Sequence, residues 1–143
     1  MSQPKLIPEL DVTYLKKSVD FYINILGFEV LYERPEERFA MLEREGVQIM
    51  LEEAAGPGRR FTTAKLEKPF GRGMNLQIEV SDADNLYNKI LSANYKPLIP
   101  LEEKWYDVAS EKAGSKQFVI ADPDGYLLRF FQDLGASKVE LMR

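Results

Sequence analysis

The sequence predicts an α+β fold made of two βαβββ modules. Three observations lead there. Each half of the chain reads, in order, as a strand, a helix and three further strands. The entries to the two helices run parallel, Leu10-Asp11-Val12 in the first half and Ile78-Glu79-Val80 in the second. Between the halves, residues 54–73 carry four glycines and two prolines, a composition that interrupts periodic structure. Identity between the halves is low, so the repeated order of elements carries the inference that two copies of one unit share a core.

Leu6 to Val12 is apolar enough for a strand. Leu15, Val19, Tyr22, Ile25 and Leu26 then recur at helical spacing, and Gly27 stands at the C-terminal stop. Phe28 to Glu33 reads as extended. Arg38 to Glu43 and Val47 to Glu52 form a hairpin around Arg44-Glu45-Gly46. After the Gly/Pro stretch, Met74 to Val80 is a strand and Asp82 an N-cap. Ala83, Leu86, Tyr87, Ile90 and Leu91 make the second apolar stripe, with Asn94 in the place of Gly27. Lys96 to Ile99 is extended, and Trp105 to Ala109, Lys116 to Ala121 and Tyr126 to Gln132 are strands. Ala136 to Arg143 has no partner in this reading. The expected organisation is one domain over 1–143, with modules at about 5–55 and 74–133, a linker at about 56–73 and a tail at 134–143.

Composition narrows the function. With 143 residues, 45% hydrophobic and 29% charged, the chain has the make-up of a globular domain with its own core. It has no cysteine and no histidine, which excludes disulfides, thiolate metal sites and imidazole catalysis. Lack of cysteine suits a reducing cytoplasm. Met1-Ser2-Gln3-Pro4-Lys5 opens without an apolar core of a signal peptide, and no run approaches a membrane span. The net charge of −4 speaks against nucleic acid, whose phosphates need a basic footprint. It suits a cationic partner or simply a solvated acidic surface.

Ser18-Val19-Asp20-Phe21-Tyr22, Leu26-Gly27-Phe28 and Asp122-Pro123-Asp124-Gly125, in this order and spacing, resemble the vicinal oxygen chelate superfamily. That group includes glyoxalase I, extradiol dioxygenases, fosfomycin-resistance enzymes and the bleomycin resistance proteins. The resemblance runs from about Leu6 to Asp133. It implies that each module curves a mixed sheet into a cup, and that metal-dependent members point four ligands into it. By strand register those positions are Ile7, Met50 (to within one or two residues), Asn75 and Arg129. A guanidinium offers only donors and cannot ligate a cation, and zinc, iron or a hard cation would want imidazole or several oxygens here. The expectation is therefore no metal, no cofactor and no catalytic residue, which disfavours the isomerase, dioxygenase and thiol-transferase activities.

Strand alternation sorts the rest. Ile7, Glu9 and Asp11 share the cup side of the first strand; Phe39 and Met41, with Gln48, Met50 and Glu52, that of the first hairpin. Asn75, Gln77 and Glu79 face it from the second module, with Leu127, Arg129 and Phe131 on the last strand. Trp105 and Tyr106 follow the polar run Glu102-Glu103-Lys104 and are expected on a rim or loop. The candidate ligand-binding set is Glu9, Phe39, Met41, Met50, Glu52, Asn75, Gln77, Glu79, Trp105, Tyr106, Arg129 and Phe131. Two readings of the charges stay open. Arg129 pairs with Glu79 or Glu9, then Glu52, and holds the sheet together; or the free carboxylates meet a cationic ligand. Arg59, Arg60 and Lys65 to Arg72 read as a solvated basic loop, and Ser18 and Ser81 as capping or turn residues.

Within the superfamily the resemblance is to the bleomycin resistance proteins, through Phe39-Ala40 and the ending Asp122-Pro123-Asp124-Gly125-Tyr126-Leu127-Leu128-Arg129. It implies an acidic homodimer that sequesters a cationic, partly aromatic drug between subunits, with no bond broken. Some of those proteins carry a tryptophan just before the Phe118 strand, where this chain has Gly114-Ser115, so the stacking ring would be Trp105, Phe39 or Phe61. The alternatives are a lyase or transferase with a divergent metal site using Glu52 and Glu79, and a dimer with no tight small ligand.

Overall fold

The structure, a computed structural model, describes residues 3–138, with side chains through Ala136. It divides into two units: residues up to Arg72 together with Asp122–Tyr126, and Gly73–Ala121 together with the chain from Leu127 onward.

In the first unit, β1 (Glu9–Val12), β2 (Glu29–Arg34), β3 (Phe39–Arg44) and β4 (Val47–Glu53) form a sheet in the order β1-β4-β3-β2. β1 runs parallel to β4, and the other pairs are antiparallel. The β3–β4 turn takes positive φ at Glu45 (48°) and Gly46 (87°), the geometry that matches the twist of a two-residue hairpin. Helix α1 (Leu15–Asp20) passes into a π-helical turn over Phe21–Ile25, marked by Leu26 N–H donating to Phe21 O at 3.2 Å. The wider turn rotates the buried stripe relative to the expected one. Ser18, Phe21, Tyr22 and Leu26 are buried, whereas Leu15, Val19 and Ile25 are only half-buried. Ser18 is thus an interior residue of α1 and not a cap. Gly27, at φ 81°, ends the helix as expected.

The N-terminus of α1 has no side-chain cap of its own. Its first donor is met from elsewhere in the unit, Leu15 N–H by Glu53 Oε1 (3.0 Å), and just ahead of the helix Thr13 N–H donates to Asp124 Oδ2 (3.0 Å). Residues 54–73 contain no helix or strand. They are nevertheless anchored to the unit, because Phe70 is buried edge-on to Tyr126, ring centroids 6.0 Å apart.

The second unit repeats the plan. β5 (Asn75–Glu79), β6 (Ile99–Val108), β7 (Glu111–Ala121) and β8 (Leu127–Lys138) form a sheet ordered β5-β8-β7-β6, with β5 parallel to β8. Helix α2 (Ala83–Ser92) is N-capped by Asp82, which accepts from Asn85 N–H at 3.0 Å. Ala83, Leu86 and Ile90 are buried, while Leu91, expected in the stripe, is exposed. Ile78, Leu128, Phe118 and Phe130 complete this core, the last two stacked at 5.5 Å. Two expectations need correction. The separate extended pieces around Lys96–Ile99 and Trp105–Ala109 are one interval, in which Ile99–Val108 is a single ten-residue strand. Ala136 is not part of a loose tail, because β8 continues to Lys138 opposite β7; residues 139–143 lie outside the described residues.

Candidate functional site

In the first unit the sheet register sets out two rows across one face. Asp11, Glu52, Phe39 and Arg34 are successive partners, and so are Glu9, Met50, Met41 and Tyr32. The alternation expected from sequence therefore holds. The consequences differ from expectation. Phe39 and Met41 are buried, and Arg34 covers the Phe39 ring at 4.2 Å, so neither presents an open lining. Phe61, the other stacking candidate, is exposed beneath Arg59 at 5.0 Å.

The charge that holds the carboxylates is Arg60, from the segment expected to be solvated. Its Nη1 lies 2.6 Å from Glu52 Oε2 and its Nε 3.6 Å from Asp11 Oδ1, and Nη2 donates to Glu53 O. Gly58 lets this segment close on Glu52: a Cβ there would collide with the carboxylate. Partial burial against the sheet, and then the charge of Glu52, raise the Glu9 carboxyl above its ordinary value. Burial likewise raises Asp11, opposed by Arg60. Glu53, on the other face, is held low, first by the Leu15 N–H and then by Arg38 Nη1 at 2.7 Å.

The Asp-Pro-Asp-Gly turn has a structural task within this unit. Asp122 accepts from Tyr22 Oη (2.8 Å), Asp124 N–H (2.9 Å) and Tyr126 N–H (3.0 Å). Gly125 takes φ 100° against Pro69, where a Cβ would meet Pro69 Cβ at 2.5 Å. Burial pushes the Tyr22 phenol far up and the Asp122 carboxyl up.

In the second unit Asn75, Gln77 and Glu79 lie opposite Leu127, Arg129 and Phe131. Arg129 donates through Nη2 to the Gln77 amide oxygen. The expected carboxylate partner is thus replaced by an amide, because parallel pairing sets Gln77 beside Arg129 and puts Glu79 one row away, beside Phe131. Exposed Asn75 and Glu79 flank this pair. The same face holds a cleft of about 430 Å³ lined by Gln77, Arg129, Phe131 and Asp133, by Tyr106, and by the stretch Ala113–Ser115 with Gln117. Gln117 Nε2 donates to Tyr106 Oη at 3.1 Å. Gln117 and Asp133 were not singled out from sequence, although alternation along β7 and β8 points both to this face.

Trp105 does not share the cleft with Tyr106. In an unbroken strand the two neighbours must face opposite ways. Trp105 sits opposite Gly114, where a Cβ would meet the ring at 2.6 Å, and its Nε1 donates to Glu103 Oε2 at 2.9 Å. Its face is the one from which Lys116, partner of Glu103, reaches Asp84 of α2 at 2.8 Å.

The side chains at the four positions inferred from the resemblance, Ile7, Met50, Asn75 and Arg129, do not make a metal-ligand set. Met50 faces Glu9 across the sheet, Arg129 faces Gln77, and Asn75 faces Leu127; Ile7 precedes β1. Among the described residues no group of three or more His, Cys, Asp or Glu is arranged to hold an ion.

Comparison with known proteins agrees with this scaffold. The model of the Glyoxalase/Bleomycin resistance protein/Dioxygenase superfamily matches residues 9–130. Bleomycin resistance proteins of Geobacillus stearothermophilus and Staphylococcus aureus are each 32% identical over 135 residues, covering 90% of this chain and 96% of the relative. The crystal structure of TioX from Micromonospora sp. ML1 shares the fold, with a TM-score of 0.71 at 23% identity over 94% of this chain and all of that one. A paired βαβββ scaffold matched along nearly its whole length places the chain in the glyoxalase/bleomycin resistance protein/dioxygenase superfamily.

Proposed function

We propose that this protein binds a small cationic, partly aromatic molecule, bleomycin-like drugs first, and sequesters it without making or breaking a covalent bond. The observation that carries the reading is the cleft on the second sheet. Its lining offers the aromatic side chains of Tyr106 and Phe131, amides from Gln77 and Gln117, a carboxylate at Asp133 and, at its other end, the Arg129 guanidinium. These groups bind and orient, and the chain has no histidine or cysteine to act on what they hold. The similarity to bleomycin resistance proteins supports the ligand class, and a net charge of −4 speeds encounter with a cation.

A homodimer in the cytoplasm fits this reading. β2 and β6 are edge strands that carry Leu31, Tyr32, Trp105 and Val108 exposed, and apolar edges of this kind need cover. Titration calorimetry with metal-free and copper-loaded bleomycin tests the ligand, with light scattering for the assembly. Heat that weakens but survives in salt is expected. No heat and no thermal shift at millimolar drug would remove bleomycin, a mass near 16.4 kDa would remove the dimer, and about one equivalent of bound zinc, nickel, iron or manganese would return the metal-enzyme reading.

A further inference from the structure

The cleft of the second unit has a polarity that a purely cationic ligand does not use. Arg129, Phe131 and Asp133 alternate on one face of β8, and all three line the cleft. Arg129 and Asp133 are four residues apart, about 13 Å along a strand. A positive charge therefore stands at one end, a negative charge at the other, and a phenyl ring between them.

Each end has binding capacity left over. Arg129 uses Nη2 on Gln77, while its Nε is buried and has no hydrogen-bond partner among the described residues. A guanidinium presents its donors as a fork that matches a carboxylate; the buried Nε is out of a ligand's reach, so the donors a carboxylate would take are those on the cleft side beyond the Gln77 bond. Asp133 accepts from Gly135 N–H through Oδ1 at 2.8 Å, which leaves Oδ2 for a cation. Between them, Phe131 pairs across the sheet with Gln117, which holds the Tyr106 hydroxyl at 3.1 Å. Two rings thus border the middle of the cleft, one of them tethered.

We propose that this cleft takes an elongated aromatic zwitterion, lying along β8 with its carboxylate on Arg129 and its ammonium at Asp133. The inference rests on the cleft being a ligand site, as argued above, and deepens that reading: the ligand carries an anionic end as well as a cationic one. Opposite charges at fixed separation select for length and direction, which a carboxylate-only pocket would not do.

The test uses three probes on the full chain: 4′-(aminomethyl)biphenyl-4-carboxylate, its methyl ester (cation only) and biphenyl-4-carboxylate (anion only), each by calorimetry. The zwitterion should bind at least about tenfold more tightly than either partial probe, the scale of one charge-assisted hydrogen bond. Arg129→Gln should lower the zwitterion to the level of the ester and leave the ester unchanged. Asp133→Asn should weaken the zwitterion and the ester and spare the anion. If Arg129→Gln does not fold, the three-probe comparison on the unaltered protein decides the matter alone. An ester as tight as the acid, or an Arg129→Gln loss equal for all three probes, overturns the inference. So does failure of every probe, and bleomycin binding to the same sample would then leave the broader reading in place.

Discussion

Asp122→Ala is the most informative perturbation of the scaffold, because one buried carboxylate ties the Asp-Pro-Asp-Gly turn to the first helix of its unit. Asp122 is 5% exposed and accepts three hydrogen bonds, from Tyr22 Oη at 2.8 Å, Asp124 N–H at 2.9 Å and Tyr126 N–H at 3.0 Å. Alanine leaves three donors without a partner, and a stranded buried donor costs about 1–3 kcal/mol. Part is offset, because burial already disfavours the charged carboxylate, and part is relieved where water reaches the turn. The net expectation is a loss of about 3–4 kcal/mol, large against the ~5–15 kcal/mol of a folded domain. Tyr22→Phe removes one donor and leaves Asp122 the other two, so it should cost about 1 kcal/mol. In the double variant the tyrosine hydroxyl is no longer stranded, so the two losses should fall short of additivity by about 1–2 kcal/mol. Urea unfolding followed by far-UV circular dichroism gives all four corners of the cycle. An Asp122→Ala loss below about 1 kcal/mol, or strict additivity with Tyr22→Phe, would refute the view that this carboxylate locks the turn to the helix.

Other residues give independent checks. Arg60→Met should cost about 2 kcal/mol at pH 7, below the range for a fully buried pair because Arg60 keeps some solvent contact. Adding Glu52→Gln should recover most of that loss in urea unfolding, and a neutral Arg60→Met would mean the loop does not anchor on Glu52. The Glu9 carboxyl is raised above its ordinary value of 4.5, so its contribution to stability is complete below that pH and is lost as pH rises through the folded value. Glu9→Gln should therefore melt higher than the unaltered protein near pH 7 and at the same temperature below pH 4.5; a gap that widens on acidification would reverse the sign. Gly114→Ala places a methyl 2.6 Å from the Trp105 ring, which must lift away at a cost of about 1 kcal/mol. Trp105 emission should shift to the red, and an unchanged spectrum would show that the ring is not seated on Gly114.

The features legible in the amino-acid sequence are those set by stereochemistry within a few residues. Gly27, the Glu45-Gly46 turn and the Asp82 cap follow from what single residues can do with their own backbone. The placing of Glu9, Asp11, Met50 and Glu52 on one face of the first sheet, and of Gln77, Arg129 and Phe131 on one face of the second, follows from the two-residue repeat of a strand, so it needs no knowledge of neighbours. The motif order was enough to reach the superfamily. What only the tertiary structure decided is which groups meet. Arg129 finds Gln77 instead of Glu79 because the parallel register of β5 on β8, segments some fifty residues apart in the chain, sets one amide beside it. Arg60 reaches Glu52 and Asp11 from an aperiodic stretch that carries no pattern to read. Trp105 turns away from Tyr106 because β6 continues unbroken through a polar run that looked like a loop. Helix α1 is capped by Glu53 and Thr13 by Asp124, side chains far from them in sequence. Local conformation depends on each residue and its immediate neighbours, and is written in them. Pairing depends on the path and register of distant segments, which the packing of the whole unit selects.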